Sequence, residues 1–236
     1  MIQELLKQGQ ILEAVEDGIF TTLEADKRGH EYDDKAKGYD ALIGSAIYNK
    51  LIWGNRLADY RRFCEKALTS RSTGYVLDAG CGSLVFTAEV YAQHTDRPLV
   101  LLDRSLGMLR RAKSRLEALN GKMPDHITLV QGDILALPFK AGVFDTVQSF
   151  GMLHIFADTT AYIQALQEVK SSEGTLFFNS LVGNTWFGKK YMKFLIRAGE
   201  VAISNTSNSL ENKLSGMGFD FTSETIGNMV YFSCYQ

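Results

Sequence analysis

In 236 residues the chain has only three cysteines and three prolines, and its charges nearly cancel at a formal net charge of −2. Cys64, Cys81 and Cys234 lie far apart and form no metal-ligand spacing. The sequence therefore implies neither a disulfide framework nor a metal centre, and it points to a reducing compartment, the cytoplasm. No apolar run is long enough to span a bilayer, and Met1-Ile2-Gln3-Glu4-Leu5-Leu6 does not read as a signal peptide. The balanced charge gives no electrostatic case for binding nucleic acid or an anionic membrane. Arg61-Arg62 and Arg110-Arg111-Lys113-Arg115 sit in helical patterns and read as solvated faces. Repeats and low-complexity linkers are also missing.

What is present is alternation. Apolar, strand-like runs fall near 75–78, 99–103, 127–131, 143–149 and 174–181, with helical patterns near 83–93, 105–119 and 158–170. Such alternation predicts a mostly parallel sheet with helices on both faces. Phe219–Thr225 and Met229–Tyr235, separated by Ile226-Gly227-Asn228, read as a terminal hairpin. Residues from Ile2 to about Phe20, and from Ala41 to about Leu68, read as amphipathic helices flanking a charged loop at 26–40. The expected division is an N-terminal helical cap, 1–70, and a ligand-binding core, 71–236.

The chemistry concentrates at strand ends. Tyr75-Val76-Leu77-Asp78 is followed at once by Ala79-Gly80-Cys81-Gly82-Ser83, which reads as a buried strand, a tight glycine loop and a helix starting near Ser83. Such a loop can receive a ligand closely and offer it backbone N–H groups. A nicotinamide dinucleotide site prefers a third glycine where Val85 stands, and does not usually place an acid at the position of Asp78. A carboxylate there suits the ammonium group of a methionine-derived ligand. Further strands end in Asp103 and in Gly132-Asp133, and a fourth, Val143 to Phe150, ends in a polar residue. Asp103 lies one strand–helix unit beyond Asp78, where a ribose-binding carboxylate is expected. Ser105 is placed to cap the next helix, which ends before Gly121 and Pro124.

Four motifs carry a resemblance. They are Leu77-Asp78-Ala79-Gly80-Cys81-Gly82, Asp103-Arg104-Ser105-Leu106-Gly107-Met108-Leu109, Gly132-Asp133-Ile134-Leu135-Ala136-Leu137-Pro138-Phe139, and Phe144-Asp145-Thr146-Val147. Over 74–181 the chain resembles the class I S-adenosylmethionine-dependent methyltransferases, in the small-molecule group of the ubiquinone and menaquinone biosynthesis enzymes. The resemblance implies a doubly wound, mostly parallel seven-stranded α/β sheet with a C-terminal antiparallel hairpin. It also implies S-adenosylmethionine as cofactor and S-adenosylhomocysteine as product. By position, Asp78, Ala79, Gly80, Cys81 and Gly82 would line the methionine portion. Asp103 would accept the ribose hydroxyls, and Arg104 and Met108 would pack beside the adenine. Gly132, Asp133 and Ile134 would bind the adenine edge, and Ser149 and Phe150 would border the sulfonium. Leu84 stands where the family usually has a third glycine, which predicts a narrower loop or an earlier helix.

His154 is the candidate general base, just past the fourth strand, with a side chain whose ordinary pKa suits the role. The alternative is that it packs or caps; His30 and Tyr32 are weaker candidates. Tyr39, Tyr48, Trp53, Trp186 and Tyr191 are candidates for an apolar or aromatic substrate cavity, with core packing or a homodimer interface as their other use. No Asn/Asp-Pro-Pro-Tyr/Phe stretch, Pro-Cys pair, three-thiol set or acid cluster is present. These absences argue against DNA-base, arsenic and metal-assisted catechol methylation and leave a small organic acceptor. The rival readings are a protein that binds S-adenosylmethionine without transferring methyl and, more remotely, a nicotinamide-dependent oxidoreductase.

Overall fold

A computed structural model of the protein describes residues 2–29, 53–94 and 96–235. The described chain begins with a short 3-10 turn, Ile2–Leu5, and a two-stranded hairpin, β1 (Glu13–Glu16) and β2 (Ile19–Thr21). Next come α1 (Leu57–Leu68), β3 (Val76–Ala79), α2 (Ala88–Gln93), β4 (Leu99–Asp103), α3 (Leu106–Asn120) and β5 (Ile127–Gln131). They are followed by β6 (Phe144–Ser149), α4 (Thr159–Val169), β7 (Lys170–Leu181), α5 (Trp186–Arg197) and α6 (Ser207–Gly216). A closing hairpin, β8 (Phe221–Ile226) and β9 (Met229–Cys234), completes the order.

One sheet of nine strands runs β1-β2-β5-β4-β3-β6-β7-β9-β8. From β2 to β7 all neighbours are parallel, and both outer pairs are antiparallel. β3 and β4 are buried along their whole lengths, as strands covered by helices on both faces must be. One face packs on α4 and α6 through Tyr162, Ile163, Leu166, Leu210 and Leu214. The other packs on α1, α2 and α3 through Leu68, Tyr91, Leu109, Ala112 and Leu116.

Local chemistry accounts for the elements that were legible. The Ser105 side chain accepts from the Met108 N–H at the start of α3. Gly121 ends that helix at φ 76°, a left-handed position that glycine takes without cost. At the C-terminus, Phe178 of β7 packs on Phe232 of β9 with ring centroids 5.2 Å apart.

The N-terminal expectation needs correction. Residues 2–20 are not a helix. Glu16 pairs with Ile19 across Asp17-Gly18, and β2 then pairs with β5, so this segment extends the main sheet to nine strands instead of seven. Asp-Gly suits a two-residue hairpin turn, and Gly18 takes φ 72°. Within 1–70, α1 is helical as expected. Tyr39, Tyr48, His30 and Tyr32, and the rest of the segment 30–52, lie outside the described residues. The glycine loop also differs from expectation: the chain turns through 82–87 and the helix starts at Ala88, not Ser83.

Candidate active site

The ends of β3, β4 and β6 open on one cavity of about 460 Å³. The loop after β3 forms its floor. The Gly80 and Cys81 N–H groups both donate to the Leu102 carbonyl, at 2.7 and 3.0 Å. The Gly82 N–H donates to Asp103 Oδ2 at 2.8 Å, and the Ser105 N–H donates to Oδ1 at 2.9 Å. The Asp103 carboxylate thus ties the loop to the end of β4 while itself lining the cavity. Gly80 has φ 80°, and a Cβ there would meet Met152 Cγ at 2.6 Å. Gly82 has φ 59°, and a Cβ there would meet nothing within 4 Å.

Leu84 does not start the helix early, since α2 begins at Ala88. It adopts φ 59°, the left-handed geometry that a glycine would take there. Its side chain is 2% exposed and sits in the apolar cluster with Tyr91 and Leu109. Burial of the side chain offsets a backbone conformation that costs roughly 1–2 kcal/mol for an L-residue. The loop keeps its glycine-like path.

Asp78 carries an unresolved electrostatic conflict. It is buried at the end of β3. Tyr91 Oη donates to its Oδ2, and Gln148 Nε2 donates to Tyr91 Oη. Oδ1 has no hydrogen-bond partner among the described residues, and Asp78 lines the cavity. Burial pushes its pKa up from 3.8 to about 7, with Asp103 adding to the rise and the Tyr91 hydrogen bond opposing it. An orphaned buried carboxylate oxygen at a cavity wall lacks a cation. The ammonium group of a methionine-derived ligand would supply one, so the residues present fit such a ligand.

Beyond Asp103, Arg104 Nη1 lies 3.3 Å from Asp133 Oδ2, a half-exposed pair of little energetic weight. Asp133 caps the short turn Ile134–Ala136 by accepting from the Leu135 N–H at 2.9 Å. Arg104, Met108, Asp133 and Ile134 all line the cavity, as do Gly80, Cys81, Gly82 and Phe150. Ala79, Gly132 and Ser149 are not among its lining residues. Ser149 points into the sheet's interior network, donating to the Ala79 carbonyl and accepting from Tyr162 Oη.

The lining is also aromatic. Trp53, Tyr60, Phe86 and Phe150 contribute to it. Tyr60 stacks on Phe86 with centroids 4.4 Å apart, and Phe63 backs Phe150 at 5.4 Å. Tyr191 lies behind Trp53, edge-on at 5.1 Å, and does not line the cavity itself. Trp186 is 70% exposed on α5 and does not belong to the site, contrary to expectation. Tyr60, Phe86 and Glu200 line the cavity without having been singled out in the sequence. Phe86 follows the glycine loop closely, whereas Tyr60 lies on α1, away from every quoted motif. Glu200 arrives from the connection after α5 and had no local signal.

His154 does line the cavity, but its protons are arranged against base chemistry. Its Nδ1 accepts from the Leu181 N–H at 3.2 Å. Nε2 is therefore the protonated nitrogen of the neutral ring, a donor. Burial lowers its pKa from 6.5 to about 4. The geometry leaves no free basic nitrogen for the general-base role.

Acids at the ends of a parallel sheet, a glycine loop and aromatic side chains thus line one cavity. Comparison with known proteins sharpens this. Residues 76–174 match the family described as "Methyltransferase domain". The demethylmenaquinone methyltransferase of Streptomyces griseus is 30% identical over 185 residues, covering 75% of this chain and 73% of that protein. The malonyl-acyl-carrier-protein O-methyltransferase of Legionella pneumophila is 29% identical over 111 residues, 47% of this chain, and the match spans only 37% of that enzyme. The fold is shared with a methyltransferase structure from Methanococcus maripaludis, with TM-score 0.60 and 17% identity over 88% of this chain and 95% of that one. The chain belongs to the class I S-adenosylmethionine-dependent methyltransferases.

Proposed function

We propose that the enzyme transfers a methyl group from S-adenosylmethionine to a flat, apolar small molecule held against the aromatic wall. The observation that carries this reading is the mixed lining of one cavity. Asp78, Asp103 and Asp133, at or just past the ends of β3, β4 and β5, line it together with Trp53, Tyr60, Phe86 and Phe150. The name of the Streptomyces relative supports a small organic acceptor, and a quinone-type ring suits an aromatic slot; the name of the Legionella relative instead gives a malonyl group carried on a protein. The three free cysteines fit a cytoplasmic setting.

When bound, the cofactor supplies an electrophilic methyl on a sulfonium, so the protein has to position and exclude water more than to react. Asp78 would hold the amino-acid ammonium with its unpartnered Oδ1. Asp103 would accept from the ribose hydroxyls while keeping the loop closed through Gly82. Asp133 would accept from the adenine amino group, with Arg104 and Met108 beside the ring. Phe150 would border the sulfonium. His154 would present Nε2–H to an acceptor oxygen, orienting it without taking a proton. Residues 71–236 would form the cofactor-binding unit, together with α1 and the N-terminal strands packed on it.

Calorimetric titration with S-adenosylhomocysteine tests the cofactor half. Affinity in the micromolar range is expected. Asp103→Ala should weaken it by about 10- to 150-fold, the loss of hydrogen bonds to a charged group. Undiminished affinity in that variant would remove Asp103 from the ribose role. Release of S-adenosylhomocysteine on adding quinol-like aromatic acceptors tests the other half.

A further inference from the structure

Helix α5 carries chemistry that the cavity does not use. Among the described residues, the exposed large apolar side chains include Trp186 at 70%, Phe194 at 60%, Phe187 at 47% and Ile196 at 38%, all on these twelve residues. The same helix holds Lys189, Lys190, Lys193 and Arg197, and no acid. Gly188 and Met192 face the protein. Trp186, Phe187, Lys190, Phe194 and Arg197 are all exposed and share the outward side at helical periodicity. Lys190 Nζ lies 4.0 Å from the Trp186 ring centroid. The chain's net charge of −2 conceals this cationic, aromatic face.

We propose that α5 lies in the interface of an anionic lipid bilayer. A tryptophan and two phenylalanines on a face interleaved with lysines and arginine match the headgroup boundary, where aromatic rings enter and cationic side chains snorkel to phosphates. A second copy of the chain is disfavoured as the occupant, because a symmetric contact would set four cations against four. The helix also adjoins the site. Leu181 before it and Gly199 and Glu200 after it line the cavity. Tyr191 joins Phe187 and Phe194, at centroid distances of 6.3 and 5.8 Å, to Trp53 on the cavity wall. An aromatic track thus leads from the outer face of α5 toward the cavity.

The test uses the full chain and vesicles that contain no acceptor, so its outcome is independent of the methyl-transfer reading. Co-sedimentation with vesicles of phosphatidylcholine mixed with phosphatidylglycerol should show binding, and pure phosphatidylcholine much less. Trp186 emission should shift to the blue on binding, since Trp53 is already buried. Lys190→Gln/Lys193→Gln/Arg197→Gln should lower the partition coefficient on the order of 100-fold, about fivefold per cation. Trp186→Ser/Phe194→Ser should also lower it, and both variants should keep wild-type affinity for S-adenosylhomocysteine. Equal binding to both vesicle types, or none, overturns the proposal. So does a stable dimer in solution that Trp186→Ser dissociates, which would make the face a contact between copies.

Discussion

Asp78→Asn exchanges one buried carboxylate for an amide of the same shape. In the ligand-free protein the carboxylate's pKa is displaced from 3.8 to about 7. At about 1.4 kcal/mol per unit, ionised Asp78 costs the folded state up to about 4 kcal/mol above pH 7. The sign follows from proton counts. Between 3.8 and 7 the folded state holds the proton more tightly than the unfolded state, so this group's contribution to stability falls as pH rises through that window. Asparagine carries no such cost, although its buried NH₂ forfeits roughly 1–3 kcal/mol if it finds no acceptor. The variant should therefore be more stable than wild type at pH 8, by on the order of 1–3 kcal/mol in urea titration, and the order should reverse near pH 4, where the aspartate is protonated and only the amide's cost remains. Cofactor binding should move the other way. An amide NH₂ facing the ligand ammonium replaces a charge-assisted hydrogen bond, so affinity for S-adenosylhomocysteine should fall about 10- to 150-fold at pH 7. Wild-type affinity should itself weaken about tenfold between pH 7 and 5.5 as Asp78 protonates, while the variant's should stay level. A variant with wild-type affinity and the same pH dependence would show that Asp78 does not meet the ammonium group.

Two further predictions concern Leu84 and His154. Leu84→Gly relieves a left-handed φ of 59° but empties a buried leucine site; a net loss of about 2–4 kcal/mol is expected by thermal or urea unfolding. A stabilised variant would mean that strain outweighs packing there. His154→Ala leaves the buried Leu181 N–H unpartnered and should cost about 1–3 kcal/mol. The folded pKa of His154 is depressed to about 4 from 6.5, so the unfolded state binds more protons between those values and wild-type stability is lost as pH falls through them. The alanine variant should lack that acid limb and, once folded, turn over within about tenfold of wild type; a drop of 10²–10⁴-fold, roughly the range for a lost general base, would restore the base role.

Legibility in the sequence followed the locality of the cause. The parallel strands were readable because burial on both faces writes continuous apolar runs such as Leu99-Val100-Leu101-Leu102. Ser105 and Gly121 marked α3 because caps are local. The acids Asp78, Asp103 and Asp133 were readable because each closes such a run, and the structure brings all three to one cavity. The first hairpin was missed where apolar spacing over 2–20 suggested a helix, although Asp17-Gly18 between Glu13–Glu16 and Ile19–Thr21 is a local turn signal of equal weight. Helix α6 was missed too, despite the Thr206 cap and Leu210 and Leu214 one turn apart.

Where the sequence pointed to a role that the fold does not give, the reasons are tertiary. Ser149 ends a strand like its neighbours, but the direction of its hydroxyl is set by Tyr162 on a helix across the sheet, which draws it away from the cavity. His154 looked like a base from its place after β6, but Leu181, 27 residues further on, supplies the N–H that occupies its lone pair. Tautomer and pKa are properties of the folded contact, not of the motif. Leu84 makes the same point in reverse. A departure from the expected glycine looks like damage to the loop when read along the chain. In the fold, the pocket between α2 and α3 accepts the leucine side chain and holds the backbone in the turn that glycine would have made unaided. The loop's left-handed turn is therefore held by packing, and the stability of that apolar cluster and the shape of the cavity floor are coupled at this residue.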